Sequence, residues 1–163
     1  SVVLGLDTDT VKNICDECGC DMANDNCPGQ VVISGLKGAV ESASEKLKSA
    51  GARRVMPLAL SAPVHCRDQE PSVEVMRKEF ENVKIETPKS KWISNKTCAV
   101  IENPDDIKEA LIYQLTHGVR WRESVLEMVN LGINTAVEIG PGSVLSGLIS
   151  RTTDKIKTEK LEI

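Results

Sequence analysis

The 163-residue sequence lacks the features of membrane proteins and of nucleic-acid-binding proteins. No stretch approaches the roughly 18 uncharged apolar residues of a membrane span, and no basic segment followed by a short apolar one indicates a signal peptide. Nucleic-acid-binding proteins usually carry a basic face, whereas this chain has a net charge of -4 with both signs interspersed. We therefore expect a cytoplasmic protein whose partner is a small molecule or another protein, with no membrane and no nucleic acid.

The chain also has no initiator methionine. It begins Ser1-Val2-Val3-Leu4-Gly5-Leu6 and enters a predicted strand directly, as the middle of a longer protein would. Its length suits about one domain or two small lobes with a sizeable core. We therefore expect part of a protein rather than all of it.

The cysteine-rich segment lacks the second pair of ligands that a zinc site usually has. Cys15, Cys18, Cys20 and Cys27 are close in sequence, but zinc sites usually present two short Cys or His pairs separated by a longer spacer. Cys15 and Cys18 also fit one face of a predicted helix. Reduced thiols of a cytosolic protein, without a metal, are the favoured interpretation, and a metal-binding module built on these four cysteines is the weaker alternative.

Histidine is scarce, and one of the two is placed where a base would be useful. His65 lies in Ser61-Ala62-Pro63-Val64-His65-Cys66, after an apolar run at 55–60 that predicts a buried strand, and active-site side chains are common past strand ends. Imidazole takes and returns protons near neutral pH. A hydrogen-bonded structural histidine is the commoner role, so both interpretations stay open at this point. Cys66 is predicted to pack, because neighbours in an extended segment point to opposite sides.

Residues 1–60 have the element order of a ferredoxin-like lobe. The pattern predicts strand, helix, strand, strand, helix, strand. The strands are predicted at 2–6, briefly at 20–26, at 31–34 and at 53–60. Asp7 begins the first helix, Gly19 ends it, and Cys27-Pro28-Gly29-Gln30 predicts a type II turn.

The remaining residues predict helices and strands of a second unit. Helices begin at Pro71, Asn103 and Trp121, a buried strand is predicted at 135–139, and the charged tail from 152 is interpreted as a helix end or frayed. A glycine turn at 140–142 enters a further helix, where an anion site is a weak possibility and tight packing the favoured one. Gln114 falls on the inner face of its helix, either as a hydrogen-bonded core amide or as a support for a catalytic group.

A serine nucleophile is missing as well. A histidine base in acyl transfer needs one, yet no Gly-x-Ser-x-Gly elbow occurs, and Ser143 and Ser146 lack the flanking glycines. A serine-based mechanism therefore cannot be completed from these residues alone.

Four segments resemble, in order and spacing, those of one enzyme family. They are Asn24-Asp25-Asn26-Cys27-Pro28-Gly29-Gln30-Val31-Val32-Ile33-Ser34-Gly35, Ser61-Ala62-Pro63-Val64-His65, Gln114-Leu115 with Val119-Arg120-Trp121, and Glu138-Ile139-Gly140-Pro141-Gly142-Ser143-Val144-Leu145. They resemble the bacterial malonyl-CoA:acyl-carrier-protein transacylases of fatty-acid synthesis. The resemblance runs over residues 1–151 and covers the C-terminal half of the family's sequence.

This resemblance implies a two-lobed α/β fold. Residues 1–60 would be a complete ferredoxin-like βαββαβ lobe, and residues 61–163 the C-terminal part of an α/β-hydrolase-like acyltransferase lobe. The implied reaction transfers malonyl from malonyl-CoA to the phosphopantetheine thiol of acyl carrier protein through a serine acyl-enzyme, in ping-pong order and without a cofactor. The serine would belong to the upstream half, so the 163-residue chain alone is expected to be inactive.

The resemblance also implies roles for three residues. His65 would be the general base, the residue at Gln114 would present its backbone carbonyl to that histidine and fix its tautomer, and Asn26 would line the cleft that holds the acyl group or pantetheine arm. The chain departs from the family pattern at two places. The family usually has an aromatic or small residue where Val64 stands and Leu-Met where Asp68-Gln69 stands, so the resemblance does not define which acyl group is preferred.

Two further points concern partners. Four basic residues are candidates for steering an acidic carrier protein, although solvation of the surface is the favoured role for several of them. They are Arg53, Arg54, Arg120 and Arg122. The alternative to an enzyme is a non-catalytic carrier-binding or structural module that lacks the nucleophile.

Overall fold

A computed structural model describes residues 1–60 and 62–162, so Ser61 of the histidine segment lies outside the described residues. The strands are β1 (Val2–Leu4), β2 (Asp21–Cys27), β3 (Gln30–Ser34), β4 (Arg54–Met56), β5 (Trp92–Ile93), β6 (Val100–Ile101), β7 (Thr135–Ile139) and β8 (Lys157–Leu161). The helices are α1 (Thr8–Cys18), α2 (Lys37–Ser49), α3 (Glu70–Glu81), α4 (Pro104–Thr116), α5 (Trp121–Asn130) and α6 (Val144–Thr152). Within the described ranges, no helix combines the length and apolar character needed to cross a membrane.

The first four strands form an antiparallel sheet with the order β2-β3-β1-β4. Strand alternation points Val3, Val31 and Ile33 to one face, where α1 and α2 cover them with Val11 and Leu47. All five side chains are almost completely buried. Along residues 1–60 the elements follow in the order β1, α1, β2, β3, α2, β4, which confirms the predicted element order.

Local signals placed the helix ends correctly. The Asp7 carboxylate accepts a hydrogen bond from the Thr10 amide at 2.8 Å, and Gly19 ends α1 with a left-handed φ of 74°. Asn103 caps α4 in the same way, by accepting from the Asp105 amide at 2.8 Å, and Pro104 follows at the first helical position. Short-range hydrogen bonds of this kind are readable from sequence because both partners lie within three residues.

Two strand predictions in the first sheet are wrong in length. The brief strand expected at 20–26 is the seven-residue β2, because it forms a hairpin with β3 despite two irregularities in register. The strand expected at 53–60 is only the three-residue β4. Pro57 has no amide hydrogen with which to continue the ladder, and Leu58 and Leu60 are exposed rather than buried.

The charged tail and the strand before it also differ from expectation. Residues from 157 form β8, which pairs in parallel with β7 and receives a further hydrogen bond from Gly140 N–H to the Leu161 carbonyl at 3.0 Å. The strand β7 is present, but Val137 and Ile139 are 52% and 64% exposed instead of buried. In the part of the chain that the structure describes, β8 is the sole strand that pairs with β7, which leaves these side chains uncovered.

A short segment between α4 and α5 ties the two parts of the chain together at β2. The Val119 amide donates to the Ala23 carbonyl at 2.7 Å, and the Asp25 amide donates to the Val119 carbonyl at 2.8 Å. Gly118 passes so close to β2 that a Cβ atom there would lie 2.3 Å from the Met22 carbonyl oxygen. The segment therefore requires glycine at this position for steric reasons.

Gly118→Ala is expected to lower the free energy of unfolding by about 1–3 kcal/mol, because the methyl group displaces backbone from β2. Gly38→Ala is the matched control. Gly38 lies inside α2, nothing surrounds its missing side chain within 4 Å, and alanine is the better helix former there. Urea unfolding should therefore move in opposite directions for the two variants, and an unchanged midpoint for Gly118→Ala would contradict the close packing.

Candidate functional site

The imidazole of His65 is held by the end of helix α4. His65 Nδ1 lies 2.8 Å from the backbone carbonyl oxygen of Gln114, and because a carbonyl oxygen only accepts, Nδ1–H is the donor. In the neutral ring this leaves the lone pair on Nε2. The histidine is half-buried, so the ring is supported on one side while the loop reaches the surface. The arrangement presents Nε2 as a proton acceptor.

Helix geometry explains why this carbonyl is available. Gln114 is among the last four residues of α4, whose carbonyls have no partner within the helix. The same end of a helix carries the negative end of its dipole, which stabilises a positive charge on a nearby imidazole. The Gln114 side chain itself is half-buried. The backbone carbonyl of Gln114, rather than its side-chain amide, makes the contact with His65.

The segment around His65 is bound to the first sheet on both sides. Val64 N–H donates to the Ser34 hydroxyl at 3.0 Å, and Arg67 N–H donates to the Asp21 carboxylate at 2.8 Å. The Arg67 guanidinium also bonds Asp21, with Nη2 2.6 Å from Oδ1. Partial burial alone would raise the pKa of Asp21, but the hydrogen bonds and charge of Arg67 lower it. The carboxylate therefore stays charged and keeps the loop on β2.

Cys66 is fully buried, as its predicted packing role requires. Burial raises the pKa of its thiol, so the thiolate that a nucleophile needs is disfavoured. Its Sγ lies 3.9 Å from Asp68 Oδ2 and makes no hydrogen bond to His65 in the part of the chain that the structure describes, so this geometry does not support a nucleophile and base pair of His65 and Cys66.

The structure does not join Asn26 to the histidine. Asn26 is half-buried on β2, and no hydrogen bond within residues 1–60 and 62–162 connects it to His65 or Gln114. Asp21, which anchors the histidine segment through Arg67, begins the same strand. Five residues of extended strand correspond to about 16 Å. Asn26 therefore lies toward the far end of β2 from that anchor.

The cysteines and the glycine turn offer little for ligand binding. Cys15, Cys20 and Cys27 are buried, and no group of three His, Cys, Asp or Glu side chains in the described chain is arranged to hold a metal. At the start of α6, the Glu138 carboxylate already accepts from the Ser146 amide at 2.8 Å and from the Leu145 amide at 3.0 Å. The Ser146 hydroxyl and these amides lower the pKa of Glu138. This helix N-terminus is therefore occupied by the chain's own anion.

Two of the four candidate steering arginines are engaged inside the molecule. Arg122 Nη2 lies 2.7 Å from Oδ2 of Asp25, whose side chain is only 5% exposed. Arg120 pairs with Glu123 and also donates to the Lys96 carbonyl at 2.9 Å. Hydrogen bonding to Asp25 raises the pKa of Arg122. Arg53 and Arg54 are exposed on the surface.

A cavity of about 1000 Å³ lies beside the histidine segment and was not anticipated from the sequence. Its lining includes Pro63 and Val64 of that segment and a set of exposed or half-buried apolar side chains. These are Leu36, Val40, Leu58 and Leu60. The signal was the apolar run at 57–60, which was interpreted as the end of a buried strand but in fact lines this opening.

Comparisons with known proteins identify relatives of the chain. No protein-family model matches it. It is 39% identical over 163 residues to the malonyl CoA-acyl carrier protein transacylase of Bacillus subtilis, covering 97% of this chain and 51% of the relative. It is 35% identical over 165 residues to that of Escherichia coli K12, covering 99% and 53%. The chain thus spans about half the length of these curated relatives.

Solved structures agree with this result. An acyl-carrier-protein S-malonyltransferase from Burkholderia pseudomallei superimposes with a TM-score of 0.94 and 37% identity, covering 98% of this chain and 53% of that one. A malonyl-transacylase in complex with its type II PKS acyl-carrier protein matches with a TM-score of 0.93 and 34% identity, covering 99% and 53%. These matches confirm the predicted α/β class. Over nearly its whole length the chain is similar to the malonyl CoA-acyl carrier protein transacylases, and it spans about half the length of these relatives.

Proposed function

We propose that this chain is the C-terminal half of an acyltransferase that moves malonyl from malonyl-CoA to the phosphopantetheine thiol of acyl carrier protein. The main observation that supports this proposal is the hydrogen bond of 2.8 Å from His65 Nδ1 to the Gln114 carbonyl, in a chain that is similar to malonyl CoA-acyl carrier protein transacylases. In this proposal residues 1–60 are a ferredoxin-like lobe, and residues 61–163 are the C-terminal part of an α/β-hydrolase-like lobe. No metal or cofactor takes part.

His65 is the general base of both half-reactions. Its Nε2 takes the proton of a serine hydroxyl in the upstream half while the serine oxygen attacks the thioester carbonyl of malonyl-CoA. The carbon–sulfur bond breaks, and the proton passes from Nε2 to the departing CoA sulfur. In the second half-reaction Nε2 takes the proton of the pantetheine thiol, the thiolate attacks the malonyl ester, and the proton returns to the serine oxygen.

Gln114 and Asn26 have different parts. The Gln114 carbonyl keeps the proton on Nδ1 and, with the negative end of the α4 dipole, stabilises the imidazolium that forms in each half-reaction. Gln114 is therefore a positioning residue. Asn26, which is not among the residues lining the cavity beside the histidine segment, lines the cleft between the two lobes and supplies an amide that orients the acyl group or the pantetheine arm.

The upstream half is the first partner of this chain. Four exposed apolar residues at β7, β8 and the start of α6 support its presence. Three of them are neighbours, since two lie on one face of β7 and the second of these pairs with the third on β8, and exposed apolar patches usually mark interaction sites. These residues are Val137, Ile139, Val144 and Leu161. The exposed Arg53 and Arg54 are the better candidates for attracting an acidic carrier protein, since Arg120 and Arg122 are already paired.

Intact-mass spectrometry tests this proposal. The chain is incubated with malonyl-CoA alone and together with the separately expressed upstream part of its parent protein. We expect one malonyl group on the upstream polypeptide, none on this chain, and loss of that group when acyl carrier protein with its phosphopantetheine arm is added. Turnover by the 163-residue chain alone would contradict the division of roles. Absence of any acylated species in the mixture would favour the non-catalytic carrier-binding module.

A further inference from the structure

Gln69 makes three hydrogen bonds that surround the histidine segment. It is half-buried in the short 3-10 turn Arg67–Gln69. Its side-chain Nε2–H donates to the Pro63 carbonyl, and its backbone N–H donates to the Cys66 carbonyl at 3.0 Å. Its Oε1 accepts from the Ser72 hydroxyl at 2.9 Å. One glutamine therefore holds the carbonyls on either side of His65.

His65 needs such support because its backbone is strained. Its φ of 52° lies in the left-handed region, which costs a residue with a Cβ atom roughly 1–2 kcal/mol. A loop free to relax would return His65 to an ordinary conformation and turn the imidazole away from the Gln114 carbonyl. The conformation persists only where surrounding bonds determine it.

The amide of Gln69 is suited to this purpose. A carbonyl oxygen accepts only, so the NH₂ group must face Pro63, and the remaining amide oxygen is then free to accept from Ser72. Ser72 belongs to α3, so the two side-chain hydrogen bonds of Gln69 connect the Pro63 carbonyl to this helix. The other ties of the segment, from Ser34 and Asp21, run instead to the sheet.

We infer that Gln69 is a positioning residue for His65: it braces the left-handed turn against α3 and so keeps Nδ1–H on the Gln114 carbonyl and Nε2 directed outward. The effect on catalysis rests on the proposed function, whereas the effect on the imidazole does not. Gln69 does not touch the reacting atoms.

The first test reads the imidazole directly. In the ¹⁵N-labelled chain, the ring nitrogens of His65 should show a single Nδ1–H tautomer near neutral pH. Gln69→Ala removes both side-chain bonds without introducing the methionine that the family usually has at this position, so we expect mixed tautomers and broadened signals for this ring. Gln69→Glu keeps the size and replaces the donor facing Pro63 by an acceptor, so it should have the same effect. The second variant keeps the test decisive if the first does not fold.

The matched control is Gln30→Ala. Gln30 also uses a side-chain amide, whose Oε1 accepts from Arg151 Nη1 at 2.7 Å, but it lies outside the histidine segment. Its replacement should leave the His65 ring signals unchanged. A His65 ring that keeps its single tautomer in both Gln69 variants would overturn the inference.

The second test reads malonyl transfer by the chain assembled with its upstream half. Gln69→Ala should lower kcat by roughly 10- to 100-fold, the penalty expected of a misplaced catalytic group, while KM changes little. An altered tautomer with an unchanged kcat would uphold the effect of Gln69 on the imidazole and contradict the role of His65 in the proposed function. A raised KM with unchanged kcat would contradict the positioning role and indicate substrate binding.

Discussion

His65→Ala is expected to lower kcat/KM for malonyl transfer by roughly 10²- to 10⁴-fold, the usual contribution of a general base. The reason is that, among the described residues, only the His65 imidazole donates from one ring nitrogen to the Gln114 carbonyl and leaves its other ring nitrogen free to accept a proton from a hydroxyl or thiol. The loss should appear in kcat for both half-reactions. Hydrolysis-corrected transfer to the phosphopantetheine thiol, measured with the assembled enzyme, gives this value.

His117→Ala is a matched control because His117 is the second of the two histidines and contacts the same helix end. Its Nδ1 lies 3.0 Å from the Tyr113 carbonyl, and its ring stacks on Tyr113 with centroids 3.6 Å apart. His117 is exposed and outside the histidine segment, so transfer should stay within about twofold of wild type. Equal losses in both variants would mean that helix α4, rather than a base at His65, is being probed.

Arg122→Met should be the most destabilising of the charge substitutions considered for this chain, at about 3 kcal/mol. It leaves the Asp25 carboxylate, 5% exposed, without the guanidinium that contacts both of its oxygens, with Nη2–Oδ2 at 2.7 Å and Nε–Oδ1 at 3.1 Å. Arg122 itself is 29% exposed, which places the cost at the lower end for a buried pair. The pair joins β2 to α5 across 97 residues, so its loss should loosen the contact between the two parts of the chain.

Two comparisons make this prediction specific. Arg77→Met removes an ion pair of similar length, 2.7 Å to Glu109, but both side chains are nearly half exposed, and the cost should be below about 1 kcal/mol. The double variant Asp25→Asn/Arg122→Met should be more stable than Arg122→Met, since no charge is then stranded. Urea unfolding measures all three. Equal losses of unfolding free energy in Arg77→Met and Arg122→Met would show that burial does not determine how much the Asp25–Arg122 ion pair contributes to stability.

Sequence reasoning worked where both partners of an interaction lie close together along the chain. The caps at Asp7 and Asn103 and the glycine at position 19 were readable because each acts within one turn. The pattern of residues 1–60 also predicted two helices between the strands, and α1 and α2 occupy these places in the structure. The pair His65 and Gln114 is the exception: 49 positions separate them, and the family resemblance rather than a local signal pointed to the contact that the structure shows at 2.8 Å.

The errors share a different cause. The tail forms β8 because its backbone pairs with β7, and such pairing leaves no apolar pattern in a charged segment. The run at 57–60 is apolar but lines a cavity, and composition does not distinguish a buried strand from an exposed apolar surface. The exposure of Val137 shows the same limit, because burial depends on which neighbours are present.

The sequence by itself determined the element order of residues 1–60, the helix ends at Asp7, Gly19 and Asn103, the family resemblance and, through that resemblance, the pair of residues that meet at the candidate site. Only the tertiary structure decided how that site is held: the carbonyl at the end of α4, the left-handed turn at His65, the bracing by Gln69 and the tie of Arg67 to Asp21. The physical reason is range. Propensities and caps act over a few residues, whereas the bonds that orient an imidazole come from parts of the chain that meet only after folding.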